Sequence, residues 1–230
     1  KATQSQQLRD EVTTILSLAQ PGDEVMIKIE SPGGSVNGYG FAASQLERIR
    51  QHKIPLNVCI DQIAASGGYL MACIANKVYA SPFAIIGSIG VVAQLPNLHK
   101  WLKKHDIDFE QITAGKYKRT LTVFGENTAE GRKKFAEDLE LIHHNFKQQV
   151  ANYRPQIQIE EVATGEHWLA KDAFSLGLVD ELKTSDDWIL EKIRTHQIIS
   201  LQKTKSQTMV EKLLKPAAAL FARLTQQHCA

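Results

Sequence analysis

Hydrophobic positions along the chain switch repeatedly between the three-to-four spacing of an amphipathic helix and the alternation of a strand. Leu8, Val12, Ile15, Leu16 and Ala19 fall on one helical face of Gln6–Ala19, and Pro21-Gly22 closes that segment. Val25, Ile27 and Ile29 alternate through Glu24–Glu30, which predicts a strand. The turn SPGGS (residues 31–35) follows, then a helix over Val36–His52 and a second strand over Pro55–Ile60. Further on, the pattern predicts a short apolar helix over Ser66–Asn76, a strand at Val78–Ala80 and a buried extended run over Ile85–Val92. A basic helix over Leu95–His105 and a strand over Phe109–Thr113 come next. Thr128–Tyr153 reads as a long charged helix with Phe135, Leu139, Ile142, Phe146 and Val150 facing inward. Helix Ala170–Leu176, strand Leu178–Val179 and helix Asp186–His196 complete the series.

Strands separated by helical segments imply parallel pairing with right-handed crossovers, hence an α/β fold with a mainly parallel sheet. A polar stretch at Ser200–Gln207 precedes an amphipathic segment, Met209–Gln227, so residues 1–200 are expected to form one domain and 201–230 a linker and C-terminal helix. Composition supports a packed chain: 230 residues, 43% hydrophobic and 23% charged, rule out disorder. A net charge of +2 gives no electrostatic case for nucleic acid. Three cysteines exclude a disulfide scaffold; Cys59 and Cys73 sit in apolar runs and are expected to be buried thiols. No apolar run reaches the length of a membrane-spanning helix, and the start at Lys1 rather than a methionine leaves room for a preceding signal or anchor.

Two segments carry candidate chemistry. SPGG (Ser31–Gly34) follows a strand and precedes a helix, where adjacent glycines can aim backbone N–H groups at a developing oxyanion. Ser66, in IAASGGYLMA (Ile63–Ala72), stands where another strand meets a helix start. There a hydroxyl can serve as a nucleophile or simply as an N-cap. A nucleophilic serine needs a base. None of the eight histidines stands as a triad partner would, and no zinc-type spacing occurs. Lys116 and Lys118 in ITAGKYKRT (Ile112–Thr120) are alternatives, provided burial keeps the amine neutral, and the pattern does not choose between them. NGYGFAA (Asn37–Ala43) matches a dinucleotide fingerprint, with Asp61 at the next strand's end. Its glycines come seven residues after the strand, so they are expected inside the helix as a close-packing face.

Taken together, SPGG at Ser31–Gly34, AASGGY at Ala64–Tyr69, SPFAIIGSIGV at Ser81–Val91, AGKYK at Ala114–Lys118 and LAKDAFSLGLVDEL at Leu169–Leu182 resemble the signal peptide peptidase A family of serine peptidases, most closely its SohB-type branch. The resemblance covers roughly Lys1–Leu190. It implies a ClpP/crotonase-like fold and a Ser/Lys dyad, with Ser66 as nucleophile, Lys118 as general base and Ser88 orienting that lysine. Gly34 and Gly67 would form the oxyanion hole, while Gly33, Ile89, Gly90, Val91 and Val92 would bind substrate backbone. It also implies a peptide or unfolded-protein substrate of apolar character, no cofactor or metal, a homo-oligomer, and a bacterial inner-membrane anchor with the peptidase domain on the periplasmic side. An acyl-CoA enzyme of crotonase type and a non-catalytic membrane-protein scaffold are the rival readings.

Overall fold

The structure, a computed structural model, describes residues 2–201. The expected C-terminal helix and Cys229 lie outside the described residues, and one compact unit runs to Ile198. Its elements in order are α1 (Ala2–Leu18), β1 (Val25–Lys28), α2 (Val36–Gln51), β2 (Leu56–Ile60), β3 (Ile63–Ala65), α3 (Gly67–Ala72), β4 (Lys77–Ala80) and β5 (Ile85–Gly87). There follow α4 (His99–Lys104), α5 (Ala129–Tyr153), α6 (Ile159–Val162), β6 (His167–Leu169), α7 (Ala170–Ser175), β7 (Glu181–Leu182) and α8 (Ser185–Lys192).

The strands form two sheets. The larger runs β1-β2-β4-β7, parallel throughout, with Ile27 opposite Val58, Cys59 opposite Tyr79 and Ala80 opposite Leu182. All five residues of β2 are buried, as expected of a central strand covered on both faces. On one face Leu56, Val58 and Ile60 join Leu46 and Ile49 of α2 and Tyr69 of α3 in the main core. On the other, Cys59 and Tyr79 pack against Trp188 of α8. Full burial of each such aliphatic side chain stabilises the fold by roughly 1.5–3 kcal/mol, which makes β2 the keel of the domain. The fold is therefore α/β with a mainly parallel sheet, consistent with a ClpP-like architecture.

The smaller sheet, β3-β5-β6, positions the site. β3 and β5 are parallel, Ala65 lying opposite Gly87; β6 is antiparallel to β5, with Trp168 opposite Ile86. Neither β3 nor β6 is apparent in the hydropathy pattern, because three-residue strands are too short to show a period. Ser31 makes an isolated parallel bridge to Ala64, which carries the end of β1 across to the small sheet.

Several expected elements differ. The run Ile85–Val92 is strand only as far as Gly87. Phe109–Thr113 is not a strand: Ile112 is 95% exposed, and among the described residues no strand edge pairs with the segment. Leu178 and Val179 are buried but lie in the turn before β7, which forms three residues later. Between Val92 and Asn127 the chain instead makes an arm with contacts of its own and an ion pair from Lys116 to Glu130 of α5. Leu98 N–H donates to the Val123 carbonyl at 2.7 Å, the Asn97 amide donates to the Thr122 and Gly125 carbonyls, and the Phe109 and Phe124 rings lie 5.6 Å apart. α5 begins at the Thr128 cap, whose hydroxyl accepts from Gly131 N–H at 3.0 Å, and buries Phe146 and Val150 near its far end.

Candidate active site

β3 passes into α3 through Ser66 alone. To make that turn Ser66 adopts φ 51° and ψ −119°, a region a residue with a Cβ enters only when its surroundings hold it there. Two hydrogen bonds do so: Ser66 N–H donates to the Gly87 carbonyl at 2.8 Å, and its carbonyl accepts from Leu70 N–H at 3.0 Å. The side chain makes no capping bond to α3, so the hydroxyl is not spent as an N-cap. A strained strand-to-helix turn of this kind presents a serine Oγ at the top of a sheet.

Ser88 stands beside it. Ser66 and Ser88 are the first residues beyond the paired strands β3 and β5, and Ser88 also has a positive φ, 50°. Its N–H donates to the Glu166 carbonyl at 2.6 Å, which fixes the exit from β5.

The SPGG turn closes onto the same point. Gly33, at φ 98°, approaches so tightly that a Cβ there would lie 2.7 Å from the Ser66 Cβ. Gly67 and Gly68 are equally constrained: a Cβ on Gly67 would meet the Tyr39 ring at 2.3 Å, and one on Gly68 the Ser31 carbonyl oxygen at 2.4 Å. Glycine is required at these positions by closeness of approach. Among the described residues neither Gly34 N–H nor Gly67 N–H donates to a protein acceptor, so both amides remain for an incoming group.

These residues line one cleft of about 1050 Å³, which holds Gly33, Gly34, Ser66, Gly67, Ser88, Gly90, Val91 and Val92 of the expected site. Ile89 points the other way, into the core, at 0% exposure. Val36, Leu70 and Phe146 add apolar walls. Gly38 and Gly40 fall inside α2 as expected, but Gly40 has no atom within 4 Å of a notional Cβ and packs against nothing. Asp61 accepts from Lys28 and from the N–H and hydroxyl of Ser185, at 2.5, 2.8 and 2.6 Å, and is a structural latch for α8.

The two lysines lie elsewhere. Lys116 pairs with Glu130 at 2.9 Å, and the hydrogen bond to that carboxylate holds its ammonium above the ordinary lysine pKa, the wrong direction for a base. Lys118 is exposed on the arm and lines a second cavity of about 790 Å³ with Leu95, Phe109 and Ile112. The chain thus brings Ser66, Ser88, Gly33, Gly34 and Gly67 together and leaves Lys118 outside their cleft.

Other cleft residues escape a reading of the sequence. His143 of α5 lines the cleft, with a buried Nε2 that lacks a hydrogen-bond partner among the described residues. Tyr39 also lines it, its part hidden inside the helical pattern of α2. Among the described residues no group of three or more His, Cys, Asp or Glu side chains is placed to hold a metal ion. Cys59 and Cys73 are buried, and removal from water raises both thiols to about 12.

Fold and cleft together define a serine-centred α/β site of the kind that acyl-transfer chemistry uses. Residues 48–198 match the model of Peptidase family S49 and residues 1–46 that of its N-terminal region, and the chain belongs to peptidase family S49. It is 51% identical over 216 residues to Probable protease SohB of Haemophilus influenzae, covering 94% of this chain and 61% of that protein. Putative protease SohB of Buchnera aphidicola is 52% identical over 206 residues, 90% of this chain and 59% of that one. A more distant relative, Serine protease SPPA, chloroplastic, of Arabidopsis thaliana, is 35% identical over 67% of this chain and 23% of its own length. The chain spans about three-fifths of the length of the SohB proteins it matches.

Proposed function

We propose that this chain is the peptidase domain of a serine endopeptidase that cleaves apolar peptide segments through Ser66. The observation that carries the reading is the Ser66 turn: a strained, uncapped serine at a strand end, in one cleft with two unengaged glycine amides. A neutral Lys118 amine takes the proton from Ser66 Oγ as that oxygen attacks the peptide carbonyl carbon. Gly34 and Gly67 N–H groups donate to the tetrahedral oxyanion, which forms only on reaction and so gains most from preset donors. The Lys118 ammonium returns the proton to the leaving amine as the C–N bond breaks. A water, deprotonated by the same lysine, then releases the acyl group. Ser88 orients the lysine.

A lysine is neutral near pH 7 only when shielded from water. An exposed Lys118 therefore supports a homo-oligomer, in which the arm of one copy delivers Lys118 to the Ser66 cleft of its neighbour. Trp101, Ile107, Phe109, Ile112 and Tyr117 expose 42–95% of their surface on that arm, apolar area that such a contact would bury. The walls formed by Val36, Leu70, Val91, Val92 and Phe146 favour apolar side chains, as in signal-peptide remnants or membrane-derived segments. Beyond Gly87 the backbone through Val92 is not part of a strand, which leaves an edge for substrate to join by strand addition. Residues 1–200 would form the peptidase domain. The family resemblance favours inner-membrane association with the site on the periplasmic side; no described helix is long and apolar enough to cross a membrane.

The test uses the full-length protein, an unfolded apolar polypeptide in mild detergent, and mass spectrometry of products. Cleavage and fluorophosphonate labelling by the parent, both lost in Ser66→Ala, are expected. Mixing the Ser66→Ala and Lys118→Ala variants should restore part of the activity. Parent and Ser66→Ala behaving alike would overturn the peptidase reading, and a silent mixture would return Lys118 to its own chain's site.

A further inference from the structure

Tyr39 of α2 lies against both glycines assigned to the oxyanion hole. Its ring is the atom group that an added Cβ would strike at both positions, at 2.9 Å from a Cβ on Gly34 and 2.3 Å from one on Gly67. Its hydroxyl donates to the Gly33 carbonyl at 3.0 Å and lies 2.5 Å from Ser31 Oγ, which in turn accepts from Gly33 N–H at 3.2 Å. Proton counting sets the direction of every bond. A phenol has one proton, and Tyr39 gives it to Gly33, so Ser31 must donate to Tyr39. The result is a closed ring: Gly33 N–H to Ser31, Ser31 O–H to Tyr39, Tyr39 O–H back to the Gly33 carbonyl. Both donor and acceptor of one residue are thereby fixed.

The consequence falls on the next amide. In a trans peptide the carbonyl of Gly33 and the N–H of Gly34 point in opposite directions from one rigid plane. Holding the Gly33 carbonyl against Tyr39 turns Gly34 N–H away from Tyr39, leaving it free in a cleft that Ser66 shares. Without that hold, two successive glycines have little to resist a peptide flip, since Gly33 at φ 98° sits in a region glycine leaves at small cost. We infer that Tyr39 is a positioning residue for catalysis, its hydroxyl locking the Gly33–Gly34 peptide so that Gly34 N–H is preset for the oxyanion. The inference rests on the peptidase reading above and extends it to a residue that supplies no atom to the reaction and acts through the Gly33–Gly34 peptide.

Tyr39→Phe keeps the ring against Gly34 and Gly67 and removes only the lock. In the full-length protein it should lower kcat by roughly 10- to 100-fold with KM within about twofold, less than the loss of a whole oxyanion donor. A peptide aldehyde, whose hemiacetal mimics the tetrahedral state, should lose affinity by the same factor, while the matching peptide amide binds unchanged. Ser31→Ala should act in the same direction more weakly, because Tyr39 can still donate to Gly33. The double variant should be no worse than Tyr39→Phe alone. Thermal unfolding should stay within a few degrees of the parent.

An unchanged kcat, or equal losses of aldehyde and amide binding, would reduce Tyr39 to packing and overturn the inference while leaving the peptidase reading intact. Absence of Ser66-dependent turnover in the parent would remove both. An additive double variant would show that Tyr39 and Ser31 act separately, and the ring would be discarded.

Discussion

Ser66 and Ser88 leave neighbouring parallel strands at the same register, and each turns with φ near +50°. Adjacent parallel strands run about 4.8 Å apart, so the two hydroxyl-bearing residues emerge as a pair from one sheet edge. Neither position is glycine, although glycine would adopt that backbone freely. Strain retained where a cheaper residue exists points to use of the side chain.

That strain is measurable. Ser66→Gly should be more stable than Ser66→Ala by about 1 kcal/mol, because Ala keeps the Cβ that φ 51° disfavours. Both should be inactive. Chemical denaturation of the two variants checks the order, and equal stability would mean that the turn is unstrained.

Glycines on α2 and α3 should respond in opposite senses. Gly40→Ala adds a methyl to open space within a helix and should stabilise by about 1 kcal/mol. Gly68→Ala would place a methyl 2.4 Å from the Ser31 carbonyl oxygen and should destabilise by about 3 kcal/mol or more. Melting curves of the pair are the measurement, read for stability alone.

Asp61 sets a pH dependence. Its partial burial opposes the charged form, but the hydrogen bonds from Lys28 and Ser185 outweigh that and hold its carboxyl below the ordinary 3.8. A lowered folded pKa means that the carboxylate's stabilisation is complete above pH 3.8 and is lost as pH falls through the folded value. Asp61→Asn should therefore cost about 1–3 kcal/mol at pH 7, and the gap to the parent should close in acid below about pH 4. A constant gap from pH 7 to pH 3 would contradict this assignment.

His143 supplies a direct control on the base. His143 lines the Ser66 cleft and its buried Nε2 has no hydrogen-bond partner among the described residues, whereas Lys118 lies outside that cleft. With lysine as the base, His143→Ala should alter KM and retain Ser66-dependent cleavage within about tenfold, while Lys118→Ala loses at least a thousandfold. Rates falling to the Ser66→Ala level in His143→Ala would transfer the base to imidazole.

The sequence makes some of this plain and hides the rest for physical reasons. β1, β2 and α2 follow their periodicity because each is long enough to show one and is buried on a consistent face. ASGG before an apolar run locates the Ser66 turn, since small residues mark close backbone approach. Phe109–Thr113 has a strand's composition, but composition cannot supply a partner edge. β6 pairs antiparallel through His167–Leu169, a contact some eighty residues from β5 that no local pattern carries. Tyr39 looks like one more aromatic on a helix, because its role depends on two glycines that fold back upon it.

The hydrogen bonds that shape the Ser66 turn come from Gly87 and Leu70, and those that shape the SPGG turn from Ser31, Tyr39, Ile63 and Ala65. None passes through the arm between Val92 and Asn127. The domain is thus modular in an engineer's sense: the arm can be lengthened, shortened or exchanged for a relative's without moving Ser66. A single residue inserted into Ile63–Ala65 or Ile85–Gly87 would instead reverse which way each side chain faces and dismantle the cleft. Length variation among descendants of this fold should accordingly accumulate in the arm and stop abruptly at Val92.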